Sequence, residues 1–194
     1  MNSHNAAAPE KTEIQAPVVN GVPTGQLMDV INSIQQNADN AQFQFRLNNL
    51  WLGGSVNRSR MDDFFANGRE ERHAQTLDLD ADEPWVVAGE DTAPTPVEYV
   101  LHALASCLTT TMVYHASVQG ITIESVESSL KGDIDVRGFF GLSEDVRKGF
   151  NHVCVRMRVK SNASAGQLRA LAMYSAVYDI VSKSLPVELI IETV

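Results

Sequence analysis

Apolar residues recur at helical spacing in three parts of the chain, and these parts predict its helices. The first helix is predicted over 25–37, with Thr24 as its N-cap. The second covers about 96–118, and the third covers 164–184 with a break near Ser175. Because the middle helix is the longest, we expect it to lie at the centre of the fold.

This central helix carries clear start and stop signals. Thr95 is the expected N-cap, Pro96 takes the first helical position, and Glu98 is the acid of a capping box. Gly120 is the expected stop. Its apolar face consists of Val97, Val100, Leu101, Leu104, Leu108 and Met112. Many of its other residues are alanine and serine, so we expect another helix or a sheet to pack closely against it.

Alternating apolar and polar positions predict strands on both sides of the central helix. Before it, strands are predicted at 42–52, 55–61 and 71–80. The Gly53-Gly54 pair makes the first two a hairpin, and a loop is predicted at 63–70. After it, strands are predicted at 121–136, 151–160 and 187–193. Strands come in runs and do not alternate with helices, which favours an α+β fold with helices on one face of an antiparallel sheet.

The N-terminal residues look different from the rest. Residues 1–23 show no periodicity, and their prolines interrupt any regular element. We therefore divide the chain into a tail with a short helix over 1–41 and one folded domain over 42–194. A domain of roughly 150 residues can bury a core without disulfides.

The amino-acid composition limits the binding partners and the cellular compartment that we expect for this protein. The 194 residues include 24 acidic and 15 basic side chains, a formal net charge of −9, so nucleic acid and anionic membrane surfaces are not expected partners. No apolar run approaches the roughly 20 residues of a membrane span, and no secretory signal is visible. Two cysteines are too few for a disulfide scaffold. We expect a cytoplasmic protein with free thiols.

The two cysteines are the candidates for chemistry, and each has two interpretations. Cys107 lies in the central helix and is either a nucleophile or a small buried apolar residue. A nucleophile would need a cation nearby, and the adjacent helical turns offer none. Cys154 shares a predicted strand face with His152, Arg156 and Arg158, which either activates the thiol or is an ordinary solvated face.

Metal and cofactor sites are weakly supported. The histidines at 73, 102, 115 and 152 are dispersed, and closely spaced ligand pairs are absent. Phosphate-binding glycine loops and nucleophile-elbow motifs are also absent. We expect no cofactor, and a His/Cys metal site ranks last among the hypotheses.

Three segments together resemble the OsmC/Ohr superfamily. They are PTPVEYVLHALASCL at 94–108, GDIDVRGFFGL at 132–142 and YSAVYDIV at 174–181. The resemblance extends over about 43–194 and leaves out the first 40 residues. It implies an OsmC-like α+β fold and an intertwined homodimer in which two central helices pack at the core.

The resemblance also implies a reaction and a set of residues. Members with two cysteines reduce organic hydroperoxides: a helix cysteine attacks, a second cysteine resolves the sulfenic acid, and an arginine and a glutamate assist. By position, the attacking thiol is Cys107 and the acid is Glu98. The candidates for the cation, among which the motif does not choose, are Arg46, Arg58 and Arg60.

This sequence departs from the family pattern at two places that bear on the roles assigned to these residues. Ser175 stands where the resolving cysteine belongs, and a serine cannot form a disulfide. Glu98 and Cys107 are nine residues apart, which in one straight helix separates them by about 13–14 Å and half a turn. Glu98 could therefore assist Cys107 only from a partner chain or a distorted helix start, and its default role is capping.

Two functions follow from these residues. The first is a redox protein of the oxidative stress response, a peroxidase in which Cys107 reduces a small organic hydroperoxide and an external thiol reductant restores it. The alternative is a protein of the same fold that holds a small apolar ligand, or serves as a scaffold, without chemistry. The missing resolving cysteine and the unassigned cation motivate the alternative.

Overall fold

A hairpin and a helix open the described part of the protein, which in this computed structural model is residues 17–194. The strands β1 (Val18–Val19) and β2 (Val22–Pro23) lead into helix α1 (Thr24–Gln36). The aperiodic tail predicted over 1–23 is therefore wrong for its last six residues, and residues 1–16 lie outside the described ones. Asn20 and Gly21 form the turn with φ of 51° and 77°, and Asn-Gly is the pair that two positive φ values favour.

Helix α1 begins at Thr24 and not after it. The Thr24 hydroxyl donates to the Pro17 carbonyl at 2.7 Å, and the N-cap position is taken by Pro23, which offers no side-chain cap. Thr24 as N-cap was therefore wrong. The helix ends at Gln36 with Asn37 as its C-cap, within one residue of the predicted end, and a 3-10 turn covers Ala38–Ala41.

The next four strands form an antiparallel sheet, which we call the N-terminal sheet. Its members are β3 (Gln44–Phe45), β4 (Asn48–Gly53), β5 (Val56–Ala66) and β6 (Arg69–Ala81). β5 is central: β6 pairs along one edge, and β3 and β4 share the other. The strand predicted at 42–52 is thus divided in two.

The loop predicted at 63–70 is mostly strand. Only Asn67 and Gly68 turn the chain, with φ of 49° and 76°, and β5 and β6 stay paired up to Ala66 and Arg69 on either side. An Asn-Gly pair makes the tightest hairpin connection, so it extends the ladder where a longer loop would have ended it.

A buried aspartate anchors the connection from this sheet to the central helix. Asp82 is fully buried and accepts hydrogen bonds from the Ser55 hydroxyl, the Glu83 amide, and both the amide and the hydroxyl of Thr92. The Ser55 hydroxyl, followed by the Thr92 amide, holds the pKa of Asp82 well below its usual range. The Tyr99 hydroxyl donates to the Asp80 carbonyl at 2.6 Å and adds a second link.

The central helix α2 (Pro96–Val118) has the bounds that the sequence predicts. Its capping box is present: the Glu98 amide donates to Thr95 Oγ1 at 3.2 Å, and the Thr95 amide donates to a Glu98 carboxylate oxygen at 2.8 Å. Gly120 follows with a φ of 69°, the left-handed conformation in which helices commonly stop.

The rest of the chain forms a second sheet with helices on one face. Its elements are β7 (Ile123–Asp133), α3 (Val136–Phe139), β8 (His152–Ser161), α4 (Ala165–Ala172), α5 (Ala176–Ser182) and β9 (Val187–Thr193). The predicted break at Ser175 is present as the gap between α4 and α5. Strand order in this C-terminal sheet is β7-β8-β9, with β7 antiparallel and β9 parallel to β8.

The core lies between α2, α4, α5 and one face of the C-terminal sheet. Its fully buried large side chains are Leu104, Leu108, Met112, Val153, Val155, Met157, Val159 and Leu168. This arrangement confirms the predicted α+β class with a long central helix and an extra N-terminal helix. Over residues 17–194, none of the helices has the length and apolar character needed to cross a membrane.

Candidate functional site

Cys107 lies on the side of α2 that faces the α4–α5 connection, and its side chain is half-buried. Leu104 and Leu108 beside it on the helix are fully buried in the core. One turn further along, the Thr111 hydroxyl lies 3.9 Å from the Cys107 sulfur. The thiol therefore sits at the border between the apolar core and polar groups.

Ser175 is the second polar residue at this thiol. It is only 1% exposed, it caps α5, and its Oγ accepts a hydrogen bond from the Tyr178 amide at 3.1 Å. Ser175 and the backbone of Ala176 and Val177 are near enough to Cys107 to lower the pKa of its thiol, and Thr111 is the described residue whose side chain lies within hydrogen-bonding distance of the sulfur. The fold thus brings together the two positions that the sequence singled out for attacking and resolving thiols.

These groups outweigh the effect of burial on the thiol. Burial alone raises the pKa of Cys107, but Ser175, the Val177 backbone, Thr111 and the Ala176 backbone lower it further than burial raises it. The net pKa of Cys107 is below the usual value for a cysteine. A lowered pKa increases the fraction of thiolate, which is the nucleophilic form.

The three candidate arginines are all in the N-terminal sheet region, where each pairs with its own carboxylates. Arg58 contacts Asp80 at 2.6 Å and Arg60 contacts Asp78 at 2.9 Å. Arg46 contacts Glu70 at 2.7 Å and Asp63 at 3.1 Å, and three hydrogen bonds join its guanidinium to these two carboxylates. Among residues 17–194, no arginine is one of the main causes of the shift in the pKa of Cys107.

Two of these arginines flank a sheet residue that faces α2. Ser59 and Leu79, which are paired across β5 and β6, line a cavity together with His102 of α2. Arg58 and Arg60 lie on either side of Ser59 in the strand, and Arg58 lines a separate open cavity of about 480 Å³ with Leu79 and with Tyr99 of α2. A role for either one at Cys107 remains a prediction that requires a second chain.

Glu98 is held by the start of α2. Its carboxylate accepts from the Thr95 amide, and it lines an open cavity of about 700 Å³ with Asp91, Tyr99 and His102. Cys107 does not line this cavity. Within one protomer Glu98 therefore caps the helix, and its assistance to Cys107 remains a prediction.

Cys154 cannot take the place of a resolving thiol in the same chain. Val153 and Val155 on either side of it are buried in the core against the helices. Cys154 points to the other face of the C-terminal sheet, where its register neighbours are Lys131 and Glu188. The sheet thus separates its thiol from Cys107.

The histidines are spread over the molecule. His115 stacks on Tyr174 with ring centroids 4.5 Å apart, and His73 contacts Phe64 in a tilted arrangement with centroids 5.0 Å apart. In the described part of the chain, no group of three or more His, Cys, Asp or Glu side chains is arranged to hold a metal ion.

Sequence reasoning missed part of the site. Thr111 lies four residues after Cys107, the spacing at which helical side chains meet, so its contact could have been predicted. The amides of Ala176 and Val177 could not, because they depend on how α5 packs against α2. The sequence singles out Ser175 for its position in the family pattern, and not for its effect on the pKa of Cys107.

Comparison with known proteins agrees with this fold. The family model described as "OsmC-like protein" matches residues 89–192. No curated protein matches the chain. An OsmC-like protein from Mycoplasma pneumoniae has a similar structure, with a TM-score of 0.57, 15% identity, and coverage of 78% of this chain and 97% of that one.

Two further solved structures are similar over nearly their whole length. An organic hydroperoxide resistance protein OsmC from Legionella pneumophila has a TM-score of 0.53, 17% identity, and coverage of 76% and 97% of the two chains. One from Elizabethkingia anophelis has a TM-score of 0.54, 15% identity, and coverage of 77% and 97%. The family match spans more than half of the chain, and this protein belongs to the OsmC-like family.

Proposed function

We propose that this protein reduces small organic hydroperoxides with the single thiol of Cys107 and is restored by an external thiol reductant. One observation carries the proposal: the Cys107 sulfur is half-buried and lies 3.9 Å from the Thr111 hydroxyl, next to polar groups that lower the pKa of the thiol. Two solved structures of similar fold are named organic hydroperoxide resistance proteins, which supports the same direction.

The first step is an attack by the Cys107 thiolate on the terminal oxygen of the hydroperoxide. A sulfur–oxygen bond forms, the oxygen–oxygen bond breaks, and the departing alkoxide takes up a proton to give the alcohol. Sulfur is oxidised by two electrons to sulfenic acid, and the peroxide is reduced by the same two. The polar groups around the sulfur keep the thiolate populated before the attack.

The conversion of the Cys107 sulfenic acid back to the thiol requires a thiol from another molecule. Ser175 next to Cys107 cannot form a disulfide, and Cys154 lies beyond the C-terminal sheet. One molecule of external thiol condenses with the sulfenic acid to form a mixed disulfide and water. A second external thiol then releases Cys107 and leaves as the oxidised reductant.

We also propose that two chains form a homodimer through the N-terminal sheet and α2. The sheet leaves large apolar side chains in solvent, with Phe45 74% and Trp51 71% exposed. On α2, His102, Ser106 and Thr110 form an exposed stripe at four-residue spacing. Apolar patches of this kind mark interaction surfaces, and a second chain is the partner that could bring an arginine or Glu98 towards Cys107.

A non-catalytic protein that binds a small apolar ligand is the second candidate. It is favoured by the three candidate arginines, Arg46, Arg58 and Arg60, each of which pairs with a carboxylate of the N-terminal sheet region. Without an added cation the thiol would depend on neutral donors alone. The two candidates differ in whether Cys107 changes oxidation state.

The test is to treat the purified protein with cumene hydroperoxide and dithiothreitol while following peroxide consumption, and to trap sulfenic acid with a dimedone probe. The proposal predicts an adduct on Cys107, consumption that is abolished in Cys107→Ser, and consumption that persists in the matched variant Cys154→Ser. Equal rates in wild type and Cys107→Ser, with no adduct, would support the non-catalytic candidate.

A further inference from the structure

We propose that the open cavity between α1 and α2 is a binding site for a small, uncharged molecule with one aromatic ring. The cavity has a volume of about 240 Å³. Two residues of α1 and three of α2 line it, namely Leu27, Ile31, Tyr114, His115 and Val118. Cys107 does not line it, and α1 precedes the segment that matches the family model, residues 89–192. The site is therefore separate from the proposed peroxide reduction, and its occupancy can be measured without any peroxide.

Hydrogen bonds on both sides of the α1 lining residues hold this helix in place. Before α1, the Asn20 side-chain amide donates to Ser117 Oγ at 3.1 Å and to the Ile121 carbonyl at 2.9 Å, which joins the β1–β2 hairpin to the C-terminal end of α2. In the last turns of α1, the Ser33 hydroxyl donates to the Asn67 side-chain oxygen at 3.4 Å, at the turn between β5 and β6. The cavity walls are thus positioned before a ligand arrives, which saves the cost of ordering them on binding.

The chemistry of the lining favours an uncharged ligand. None of the five lining residues is a carboxylate, a lysine or an arginine. A charged ligand would lose hydration here without gaining an ion pair, and the formal net charge of −9 further disfavours an anion. An uncharged apolar ligand gains free energy, because its surface is removed from water against Leu27, Ile31 and Val118.

The volume and the aromatic lining define the size and shape of the ligand. An engineered apolar cavity of about 150 Å³ binds benzene, so a volume of about 240 Å³ corresponds to roughly ten non-hydrogen atoms. Tyr114 offers a ring to pair with, and His115 is held by stacking on Tyr174 with 17° between the ring planes. Imidazole nitrogens donate or accept hydrogen bonds, which suits a hydroxyl group on the ligand. The uncharged alcohol 2-phenyl-2-propanol has this size and chemistry and is the probe.

The test titrates the full-length protein with 2-phenyl-2-propanol and follows the methyl resonances by NMR. We expect saturable binding with a Kd of about 1 mM or below, the range for about ten non-hydrogen atoms in an apolar site. Nuclear Overhauser effects should join the ring protons of the probe to the methyl groups of Leu27, Ile31 and Val118. Benzoate, which has the same ring and a negative charge, should bind about tenfold more weakly or less.

Ile31→Trp and Val30→Trp form a matched pair on α1. The indole at position 31 fills the cavity and should weaken binding about tenfold or more, since a filled cavity has no room for the probe. Val30 is 50% exposed and does not line the cavity, so its substitution should leave the Kd unchanged. Equal affinity in the two variants, no saturable binding by the wild type, or Overhauser effects to residues elsewhere would overturn the inference. If Ile31→Trp does not fold, which circular dichroism detects, the Overhauser effects in the wild type decide alone.

Discussion

The two sheets of this protein differ in how much of their stability one chain supplies. The C-terminal sheet has a complete apolar layer on one face, where Val153, Val155 and Met157 pack against α2, α4 and α5. The N-terminal sheet has almost no buried side chain. Its apolar residues, Phe45, Trp51 and Leu50 among them, are largely exposed.

The difference indicates a division of tasks between the sheets. A sheet with one buried face is stable within its chain, because the hydrophobic effect scales with the apolar area removed from water. A sheet without a covered face is held by its strand ladder and by ion pairs such as Arg58–Asp80, which contribute little in solvent. The C-terminal sheet forms the core on which α2, and with it Cys107, packs. The N-terminal sheet is the surface at which we propose that a second chain binds.

The largest effect is expected in the core of the C-terminal layer. Leu108→Ala removes a fully buried side chain and should lower the free energy of unfolding by about 3 kcal/mol, since the cavity adds to the lost burial. Leu142→Ala, the same change at a residue 74% exposed, should have little effect. Urea unfolding followed by circular dichroism measures both. Equal losses in the two variants would contradict the location of the core.

The next effect belongs to the N-terminal sheet. Phe45→Ala should weaken the proposed homodimer by about tenfold in Kd or more, because an exposed aromatic that becomes buried at an interface is a frequent hot spot. Phe139→Ala, on α3 at the far end of the C-terminal sheet, is the matched control. Sedimentation at several concentrations measures the dissociation. A dimer that responds to Phe139 and not to Phe45 would place the interface elsewhere.

A smaller, pH-dependent effect is expected at Asp82, which joins the two regions. The pKa of this carboxyl is lowered in the folded protein, chiefly by Ser55, so its stabilising contribution is present above the ordinary aspartate pKa and is lost as the pH falls. Asp82→Asn should therefore lower Tm most near neutral pH, and the gap to wild type should narrow below about pH 4. A gap that widens in acid would contradict this sign.

The smallest effect on stability is expected for the ion pairs of the N-terminal sheet. Arg58→Gln should change Tm little, because both partners are substantially exposed. The informative readout is the alkylation rate of Cys107 in the dimer. An unchanged rate supports a thiol activated by neutral donors, whereas a fall would show that an arginine of the other chain reaches Cys107.

Local signals in the sequence predicted local structure well. The start of α2 could be read from Thr95, Pro96 and Glu98, because a capping box involves only residues within one turn. Asn67-Gly68 was also a local signal, but it was interpreted as a loop when it specifies a tight hairpin. In both cases the residues that specify the local structure are present in the sequence.

Local signals of this kind do not predict contacts between distant parts of the chain. The parallel pairing of β9 with β8 depends on how α4 and α5 cross over the sheet, which no periodicity records. The proximity of Ser175 to Cys107 is of the same kind, because it arises from the packing of α5 on α2. The family resemblance points to these two positions in the sequence, and the fold brings them close together.

The sheet between Cys107 and Cys154 makes the chain dependent on its surroundings when it works as proposed. An oxidised Cys107 has no sulfur of its own chain to bond with, so every turnover draws on dissolved thiols. When these run low, sulfenic acid meets further peroxide and proceeds to sulfinic acid, which most cells cannot reverse. The fraction of irreversibly oxidised Cys107 would then increase with the time during which peroxide exceeds the available thiol reductant.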